Sequence, residues 1–423
     1  MMSRFLELLS SGRILLTDGA TGTLLQEAGM PAGMNSSLMA LTRPELLERI
    51  HTDYFAAGSD MVFSNTFSAS ALKLEGTGHT VSEVVEAAVG CAKRAAAPFG
   101  GLVGLDVGPL GELLEPLGAL SFERAVALFA EQMRAGARAG ADFIAVETMM
   151  DLYEAKAAVL AAKEACTLPV MVTMTFEANG RTFTGCDAAS MALTLGGLGA
   201  DVLGVNCSVG PVQLAPIVAE LAKWTGLPIA AKPNAGLPKA GGGYDLTPEQ
   251  FAAEMRALVE GGASVVGGCC GTGPEEIRLL REAVRGARPG PRPPRAGTAI
   301  CSAVGQTTLD RPRVVGERLN PSGKKRLRQA LQDGDMSYVL RQAVEQADDG
   351  AEILDVNVGV PGIDEPATMA RVVRAVQSVC SLPLQIDSAD PDAIEAGLRA
   401  HNGRAIVNSV NGRDEVLDRL LPV

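Results

Sequence analysis

The stretch Gly140-Ala141-Asp142-Phe143-Ile144-Ala145-Val146-Glu147-Thr148 contains the pattern on which the fold of this chain depends. A glycine suits the left-handed residue that ends a helix, and the apolar run after it has the length of one buried strand. Polar residues follow where the strand ends. The same helix-ending glycine, with a small residue and a strand after it, recurs at Gly58, Gly199, Gly262 and Gly350. This repetition predicts helices alternating with the strands of a parallel sheet.

The chain up to residue 286 contains eight predicted strands. They are Ile14–Gly19, Met61–Phe67, Leu102–Val107, Phe143–Thr148, Val170–Phe176, Val202–Cys207, Ile229–Pro233 and Val265–Cys270. Eight strands alternating with helices predict a closed (β/α)8 barrel, the TIM barrel, over residues 1–286. An open doubly wound sheet is the alternative fold. It is disfavoured because no strand leads into a Gly-x-Gly-x-x-Gly turn and because polar residues end nearly every strand.

A proline- and arginine-rich segment, Ala287–Ala296, predicts a linker over residues 287–300. The alternation of strand and helix resumes in the predicted second domain, residues 301–423. Its predicted strands are Arg313–Leu319, Ile353–Val358, Leu384–Asp387 and Ala405–Asn408. Since a complete barrel needs about 250 residues, we expect about four βα units of a second barrel that is cut off after its fourth unit.

Composition excludes several classes of function. The net charge is −12, and the basic residues cluster only at Lys324-Lys325-Arg326 and in the linker, which argues against a nucleic-acid partner. No apolar run is long enough to cross a bilayer, and the amino terminus does not resemble a signal peptide. The chain has eight cysteines without an export signal. This usage predicts a reducing, cytoplasmic location in which cysteines are free thiols or metal ligands.

Three cysteines lie at predicted strand ends, Cys207 after the sixth strand and Cys269-Cys270 after the eighth. Because the carboxyl ends of barrel strands meet at one face, we expect the three thiols to converge. Three thiolates suit a soft tetrahedral ion such as zinc, with a fourth position open for substrate. A disulfide is less favoured, since adjacent cysteines are poorly placed to bridge one another. The remaining alternative is three buried cysteines that pack as small apolar side chains.

Other polar residues are predicted at the same face. Asp18 and Glu147 would lie beside the thiols, where they could hold the ammonium group of a substrate, although each could also be a helix cap or a solvated acid. The turn Asp18–Thr23 is rich in glycine and could bind a carboxylate or phosphate through backbone N–H groups. The alternative is a turn that serves only to connect a strand and a helix. The remaining strand ends contribute Asn65, Thr66, Asp106, Lys232 and Asn234.

Five motifs, taken together and in order, resemble the zinc-dependent homocysteine S-methyltransferase family. They are Asp18-Gly19-Ala20-Thr21-Gly22, Ser64-Asn65-Thr66-Phe67, Glu147-Thr148-Met149, Gly204-Val205-Asn206-Cys207 and Gly267-Gly268-Cys269-Cys270-Gly271-Thr272. The resemblance implies that Cys207, Cys269 and Cys270 hold zinc. It further implies a homocysteine site that comprises Asp18, Gly19, Asn65, Thr66 and Glu147, with Asn234 as a labile fourth zinc ligand when substrate is absent.

The second domain resembles the pterin-binding domain of cobalamin-dependent methionine synthases. The motifs are Gly316-Glu317-Arg318-Leu319-Asn320, Asp355-Val356-Asn357-Val358-Gly359, Ile386-Asp387-Ser388 and Val407-Asn408-Ser409-Val410-Asn411. This resemblance implies a site for 5-methyltetrahydrofolate formed by Glu317, Asn320, Asp355, Asn357, Asp387 and Asn408. The Asp-x-His-x-x-Gly signature of cobalamin binding is absent from the sequence. We therefore expect methylcobalamin to be carried by a separate domain or corrinoid protein.

The expected reaction is methyl transfer to the zinc-bound thiolate of homocysteine to give methionine, with the methyl group carried by cobalamin and derived from 5-methyltetrahydrofolate. One alternative is a cobalamin-independent homocysteine methyltransferase that uses a sulfonium or betaine-type donor, which the pterin motifs disfavour. Another is a non-catalytic thiol module that stores metal or senses oxidation. That interpretation leaves the acids at the strand ends without a role.

Overall fold

The computed structural model describes residues 3–31, 33–239 and 243–422 and places eight parallel strands in one sheet. The strands are β1 Leu15–Leu16, β2 Met61–Phe63, β3 Leu102–Val107, β4 Phe143–Met149, β5 Val170–Met174, β6 Val202–Asn206, β7 Ile229–Lys232 and β8 Ala263–Val266. Each strand pairs with the next from β2 to β8, and β8 pairs with β1. The predicted (β/α)8 barrel is confirmed as nearly closed. Among the described residues, β1 and β2 are the one pair of neighbouring strands without a ladder between them.

Helices alternate with these strands. They are α1 Arg4–Ser10, α2 Thr21–Glu27, α3 Met39–Thr42, α4 Pro44–Ala57, α5 Ala71–Leu74, α6 Val81–Ala96, α7 Phe122–Arg138, α8 Leu152–Ala165, α9 Ala188–Gly197, α10 Pro211–Trp224, α11 Pro248–Glu260 and α12 Pro274–Ala283. The short helix α1 packs into the apolar interior of the barrel. Its Phe5 is fully buried and stacks on Phe143 of β4, with ring centroids 4.3 Å apart. Among the described residues, no helix is both long and apolar enough to span a bilayer.

An acidic residue at the start of several strands ties that strand to its neighbour. The N–H of Asp142 donates to the carbonyl of Val103 at 2.8 Å, and its carboxylate accepts from the Val103 N–H at 2.7 Å. Asp201 makes the same two bonds with Val170, each 2.8 Å long. We call these residues, together with Asp60 and Glu352, the entrance acids. They follow the recurring glycines of the sequence pattern, which adopt positive φ.

Asp60 matters most among the entrance acids because it lies at the seam between β1 and β2. Its N–H donates to the Leu16 carbonyl, and its carboxylate accepts from the Leu16 N–H, each at 2.8 Å. Two arginines hold the same carboxylate, Arg13 at 3.0 Å and Arg281 at 2.7 Å. Farther along the seam, the Asp18 carboxylate accepts from the N–H of Phe63 at 2.8 Å. Two carboxylates thus replace part of the missing ladder.

The second sheet has four parallel strands in the order β11, β12, β13, β14, which confirms the four predicted βα units. The strands are β11 Val315–Leu319, β12 Ile353–Asn357, β13 Leu384–Asp387 and β14 Ile406–Asn408, and the helices are α13 Lys325–Asp333, α14 Met336–Asp348, α15 Glu365–Gln377, α16 Pro391–Ala400 and α17 Asp414–Leu420. Leu354, Val356, Leu384 and Ile386 form its buried core with side chains of the helices. The entrance acid Glu352 bonds to both backbone groups of Val314, at 2.9 and 3.1 Å.

The sequence did not predict the antiparallel hairpin of β9 Ala299–Cys301 and β10 Gln306–Thr308. Strand β9 begins at Ala299, so the last two residues of the predicted linker 287–300 lie in this hairpin. An apolar run of three residues is too short to show a strand period. Hydrogen bonds to a distant part of the chain hold strand β9 instead. The N–H and the carbonyl of Cys301 both bond to the backbone of Arg404 at 3.0 Å.

Contacts divide the chain into two units. The first unit consists of the described residues up to Thr184 together with Leu195–Arg295. The second consists of Gly185–Thr194 together with the described residues from Ala296 onward. The linker arginines therefore belong to the first unit. Arg292 donates to the carbonyls of Leu227 at 2.5 Å and Gly262 at 3.3 Å. These bonds fix the segment on the first unit, so it is more than an extended spacer.

Replacement of Asp60 by alanine should loosen the seam of the barrel. The change removes the acceptor of the Leu16 N–H and the partner of two arginines, and a charged hydrogen bond contributes about 1.5–3 kcal/mol. We expect the free energy of unfolding of the first unit to fall by about that amount. Urea unfolding followed by the fluorescence of Trp224 reports on this unit alone, because Trp224 is the single tryptophan of the chain.

The matched control is Asp53→Ala on the exposed face of α4, for which we expect a change within about 0.5 kcal/mol. Equal effects of the two substitutions would show that the seam does not depend on Asp60.

Candidate active site

A cavity of about 240 Å³ opens at the carboxyl ends of the first eight strands. Its lining includes most of the residues predicted from the strand ends, namely Asp18, Gly19, Asn65, Asp106, Glu147, Cys207, Lys232, Cys269 and Cys270. Thr66 is fully buried and is not among the lining residues. Its hydroxyl donates to the carbonyl of Asp106 at 2.7 Å. The structure therefore gives Thr66 a place behind the cavity wall.

Three residues of the wall have left-handed backbone conformations. The φ angles of Asn65, Thr148 and Cys207 are 59°, 61° and 63°, in a region that non-glycine residues seldom occupy. Asn206 helps to hold this geometry. Its Oδ1 accepts from the N–H of Thr148 at 2.9 Å, and its Nδ2 donates to the Thr148 hydroxyl at 2.8 Å. Backbone strain of this kind persists only where the surrounding structure fixes it, as is common at functional sites.

The three predicted cysteines lie together, and each is a free thiol. The Sγ atoms of Cys207, Cys269 and Cys270 all lie within 4.8 Å of one another, and those of Cys207 and Cys270 are 3.9 Å apart. Two glycines permit this approach. A Cβ on Gly267 would lie 1.9 Å from the Thr17 hydroxyl, and one on Gly268 would lie 2.0 Å from the Thr272 hydroxyl. Among the described residues, this trio is the one group of cysteines, histidines and acids close enough to hold a metal ion.

The electrostatics of the trio call for a cation. Hydrogen bonds with Cys207 and Cys270, together with burial, raise the pKa of Cys269 well above that of an ordinary thiol. Hydrogen bonds from the other two thiols lower the pKa of Cys270. At this spacing, the ionisation of one thiol thus opposes the ionisation of its neighbours. Three thiolates can coexist at this spacing only with a positive ion between them, and a sulfur donor set of this kind fits zinc.

Two further residues border the trio. Asn234 lies between Pro233, whose carbonyl accepts from the Cys269 N–H at 2.8 Å, and Ala235, whose N–H donates to the Cys270 carbonyl at 3.0 Å. The Asn234 Oδ1 is buried and has no hydrogen-bond partner among the described residues. The phenol of Tyr244 lies beside Cys270 and lowers the pKa of that thiol, after the larger effects of Cys207 and Cys269. The sequence analysis missed Tyr244, because it lies ten residues beyond the strand-end motif and no local pattern marks it.

A buried ion pair forms the wall between β4 and β7. The Lys232 ammonium lies 2.8 Å from the Glu147 carboxylate and 3.5 Å from the centroid of the Phe63 ring. Burial alone would lower the pKa of Lys232, but the charges of Glu147 and Asp18 raise it to about 12. The sequence marked Lys232 only as a strand-end residue. The structure shows that it neutralises the acid predicted to bind substrate.

Asp18 also lines the cavity, and its side chain is almost fully buried. Burial raises its pKa to about 7, against the opposing effects of Lys232 and of the hydrogen bond from Phe63. Its Oδ1 accepts no hydrogen bond from the described residues. Two N–H groups of the adjoining turn, which could have bound a carboxylate or phosphate, already have backbone partners. The Ala20 N–H donates to the Thr272 carbonyl at 2.8 Å, and the Thr21 N–H donates to the Gly19 carbonyl at 3.1 Å.

The second sheet brings several of its predicted residues together at its carboxyl edge. The Asp387 carboxylate accepts from the amides of Asn320 at 3.2 Å and Asn357 at 3.0 Å. Asp355 accepts from Gln385 at 2.6 Å. Asn408 pairs in register with Asp387 on the neighbouring strand. Glu317 differs from the others, because its side chain is 60% exposed and pairs with Lys324 at 3.1 Å.

The sequence of the chain matches two known protein families. Residues 15–284 match the sequence profile of the family described as homocysteine S-methyltransferase, and residues 316–421 match that of pterin binding enzymes. The chain belongs to the homocysteine S-methyltransferase family. The first match covers the whole barrel and confirms the first resemblance in the sequence, and the second confirms the pterin-binding resemblance.

Relatives of this family member support the same conclusion. The chain is 33% identical to methionine synthase of Mycobacterium tuberculosis over 96% of its length, and 32% identical to methionine synthase of Mycobacterium leprae over 95%. It spans 36% of the length of each. In fold, it resembles the crystal structure of the oxidized homocysteine methyltransferase MmuM from Escherichia coli, with a TM-score of 0.58 and 25% identity, covering 66% of this chain and 98% of the other.

The raised pKa of Asp18 predicts a pH-dependent effect of Asp18→Asn on the metal-free protein. The folded chain binds this proton more tightly than the unfolded chain, so the carboxyl stabilises the fold at low pH and loses that effect as the pH rises from 3.8 to about 7. Asparagine is neutral throughout. Between pH 4 and pH 8 the variant should therefore gain stability relative to wild type, by on the order of 2–4 kcal/mol.

Urea unfolding at a series of pH values measures this gain, with Asp53→Asn as the exposed control. A stability difference between Asp18→Asn and wild type that stays constant with pH would contradict the assignment.

Proposed function

We propose that the first unit transfers a methyl group to the sulfur of homocysteine, which gives methionine. The observation that carries this proposal is the cysteine trio, whose Sγ atoms lie within 4.8 Å of one another in the wall of the same cavity as Asp18 and Glu147. Family membership supports it independently. A thiol module that only stores metal would not need buried acids in the same cavity as its sulfurs.

Cys207, Cys269 and Cys270 are the residues that would hold zinc. The sulfur donor set fits this metal, and the buried, unpartnered Asn234 Oδ1 beside the trio fits a labile fourth ligand. When bound, zinc supplies a Lewis acid that keeps a substrate thiol deprotonated at neutral pH. A free thiol of this type has a pKa of about 8.5 and would otherwise be mostly protonated.

The residues of the chain supply binding and orientation. Asp18 and Glu147 line the cavity where we place the amino acid portion of homocysteine, beside Gly19 and Asn65. Lys232 fixes the Glu147 carboxylate through their 2.8 Å contact. Asn206 links this wall to the metal site, since its amide bonds to Thr148 and lies 4.0 Å from the Cys269 sulfur. In this proposal the substrate sulfur is directed toward the trio while the acids that line the same cavity hold its amino acid portion.

We further propose that the methyl group arrives on a cobalamin carried by a separate domain or corrinoid protein, and that it derives from 5-methyltetrahydrofolate bound at the second sheet. The pterin-binding match and the methionine synthase relatives support this source over a sulfonium or betaine-type donor. The bonded cluster of Asn320, Asn357 and Asp387, with Asp355 and Asn408 beside it, offers the donors and acceptors that a pterin ring requires. The eight free cysteines favour a cytoplasmic setting.

Zinc binding gives the first test. The protein should bind one zinc per chain, and alanine at Cys207, Cys269 or Cys270 should abolish homocysteine methylation from added methylcobalamin, because two thiolates cannot hold the ion with substrate attached. X-ray absorption at the zinc edge should show three sulfur ligands without homocysteine and four with it.

Cys166→Ala provides the matched control, because Cys166 is a free, partly exposed cysteine at the end of α8. It should retain both zinc and activity. An active enzyme without zinc, or a sulfur count that homocysteine leaves unchanged, would exclude the proposed site.

Substitution of Glu147 tests the recognition of homocysteine. Glu147→Gln keeps the shape of the side chain but removes its charge, so homocysteine affinity should fall about ten- to a hundredfold, as for a lost charge-assisted contact of about 1.5–3 kcal/mol. Isothermal titration calorimetry on the zinc-loaded protein measures this loss, and metal analysis should show unchanged zinc.

Glu45→Gln on the exposed surface of α4 is the control for the loss of one negative charge. Wild-type affinity in the Glu147 variant would mean that the amino acid portion binds elsewhere.

A further inference from the structure

Asp106, near the end of β3, is an acid of the cavity wall to which neither the motifs nor the proposed mechanism assigns a role. It lines the same cavity as the cysteine trio, and only 7% of its surface is exposed. Its Oδ1 is buried and has no hydrogen-bond partner among the described residues. Leaving a buried carboxylate oxygen without a partner is costly, so such a group favours a cationic ligand.

The backbone of Asp106 is held on both sides. Its carbonyl accepts from the Thr66 hydroxyl at 2.7 Å and from the Gln132 amide at 3.1 Å. Its N–H donates to the Ser64 hydroxyl at 3.2 Å. The two hydroxyls are themselves 2.8 Å apart. This buried network fixes the backbone of Asp106 and therefore the position from which its side chain extends. The bonds of the network do not involve the carboxylate itself.

The charges around the cavity do not balance. Three acids, Asp18, Asp106 and Glu147, face it together with the ammonium of Lys232. Lys232 is committed to Glu147 at 2.8 Å, and the nearby Lys73 lies over the Phe67 ring, 4.8 Å from its centroid. The unpartnered oxygens therefore belong to Asp18 and Asp106. Burial and the charges of Glu147 and Asp18 raise the pKa of Asp106 well above its ordinary value, against the opposing charges of Lys232 and Lys73.

We propose that Asp106, together with Asp18, accepts the ammonium group of homocysteine, and that this pair selects an α-amino thiol over the same thiol acid without its amine. The inference rests on the proposed function and adds a specificity-determining residue to it. An incoming ammonium supplies the positive charge that the cavity lacks and has three donors, enough for both unpartnered oxygens. Glu147 lines the same cavity and shares its charge with Lys232, so it adds to the recognition of the amino acid portion, while the unpartnered oxygens belong to Asp18 and Asp106.

The test compares homocysteine with 4-mercaptobutanoate, which has the same chain, thiol and carboxylate but no amine. Isothermal titration calorimetry on the zinc-loaded protein should show that wild type prefers homocysteine. Asp106→Asn should weaken homocysteine binding about ten- to a hundredfold, leave 4-mercaptobutanoate binding unchanged, and leave zinc content unchanged. Asp53→Asn, exposed on α4, should bind both ligands as wild type does.

Each other outcome has a distinct meaning. Equal weakening of both ligands in Asp106→Asn would assign Asp106 a purely structural role and overturn the proposal, as would unchanged binding of homocysteine. If the asparagine variant does not fold, Asp106→Ser removes the carboxylate with a smaller side chain and must give the same selective loss. Equal affinity of wild type for the two ligands would overturn the proposal without any variant. Failure of wild type to bind homocysteine at all would instead overturn the proposed function.

Discussion

The hydrogen bonds of the entrance acids are the interaction on which the rest of the structure depends. A parallel barrel brings distant residues together only if each strand starts at a fixed height relative to its neighbour. Asp142 and Asp201 fix that height by bonding to both backbone groups of one residue on the preceding strand. Asp60 does so at the seam, where β1 and β2 share no ladder. The positions of the cysteines at the opposite end follow from this register.

The two ends of the barrel thus have different tasks. At the amino end, carboxylates are paired with arginine or lysine and contribute to stability, as Asp60 does with Arg13 and Arg281. At the carboxyl end, Asp18 and Asp106 have buried oxygens that find no partner in the part of the chain that the structure describes, an arrangement that destabilises the fold. Such unpaired groups are expected where a ligand completes the structure.

Most of the architecture could be predicted from the sequence, because short apolar strands recur along the chain and a helix-ending glycine precedes five of them. The cysteine trio and the acids at positions 18 and 147 could also be predicted, since strand ends of a barrel converge regardless of their separation in sequence. Other features depend on tertiary contacts and leave no local pattern. The β9–β10 hairpin, the contact of Tyr244 with Cys270 and the burial of Thr66 behind Asp106 are of this kind. The pairing of Lys232 with Glu147 joins residues 85 positions apart, and no sequence spacing marks it.

Asp18 contributes both to the seam and to the cavity. One of its oxygens accepts from the Phe63 N–H across the seam, and the other is buried with no partner among the residues that the structure describes. A cation in the cavity would keep this carboxylate ionised, and an ionised acceptor forms the stronger hydrogen bond. Binding of a cation in the cavity would then slow the exchange of the Phe63 amide hydrogen with solvent. Through Asp18, local opening of the seam between β1 and β2 would depend on whether substrate is bound.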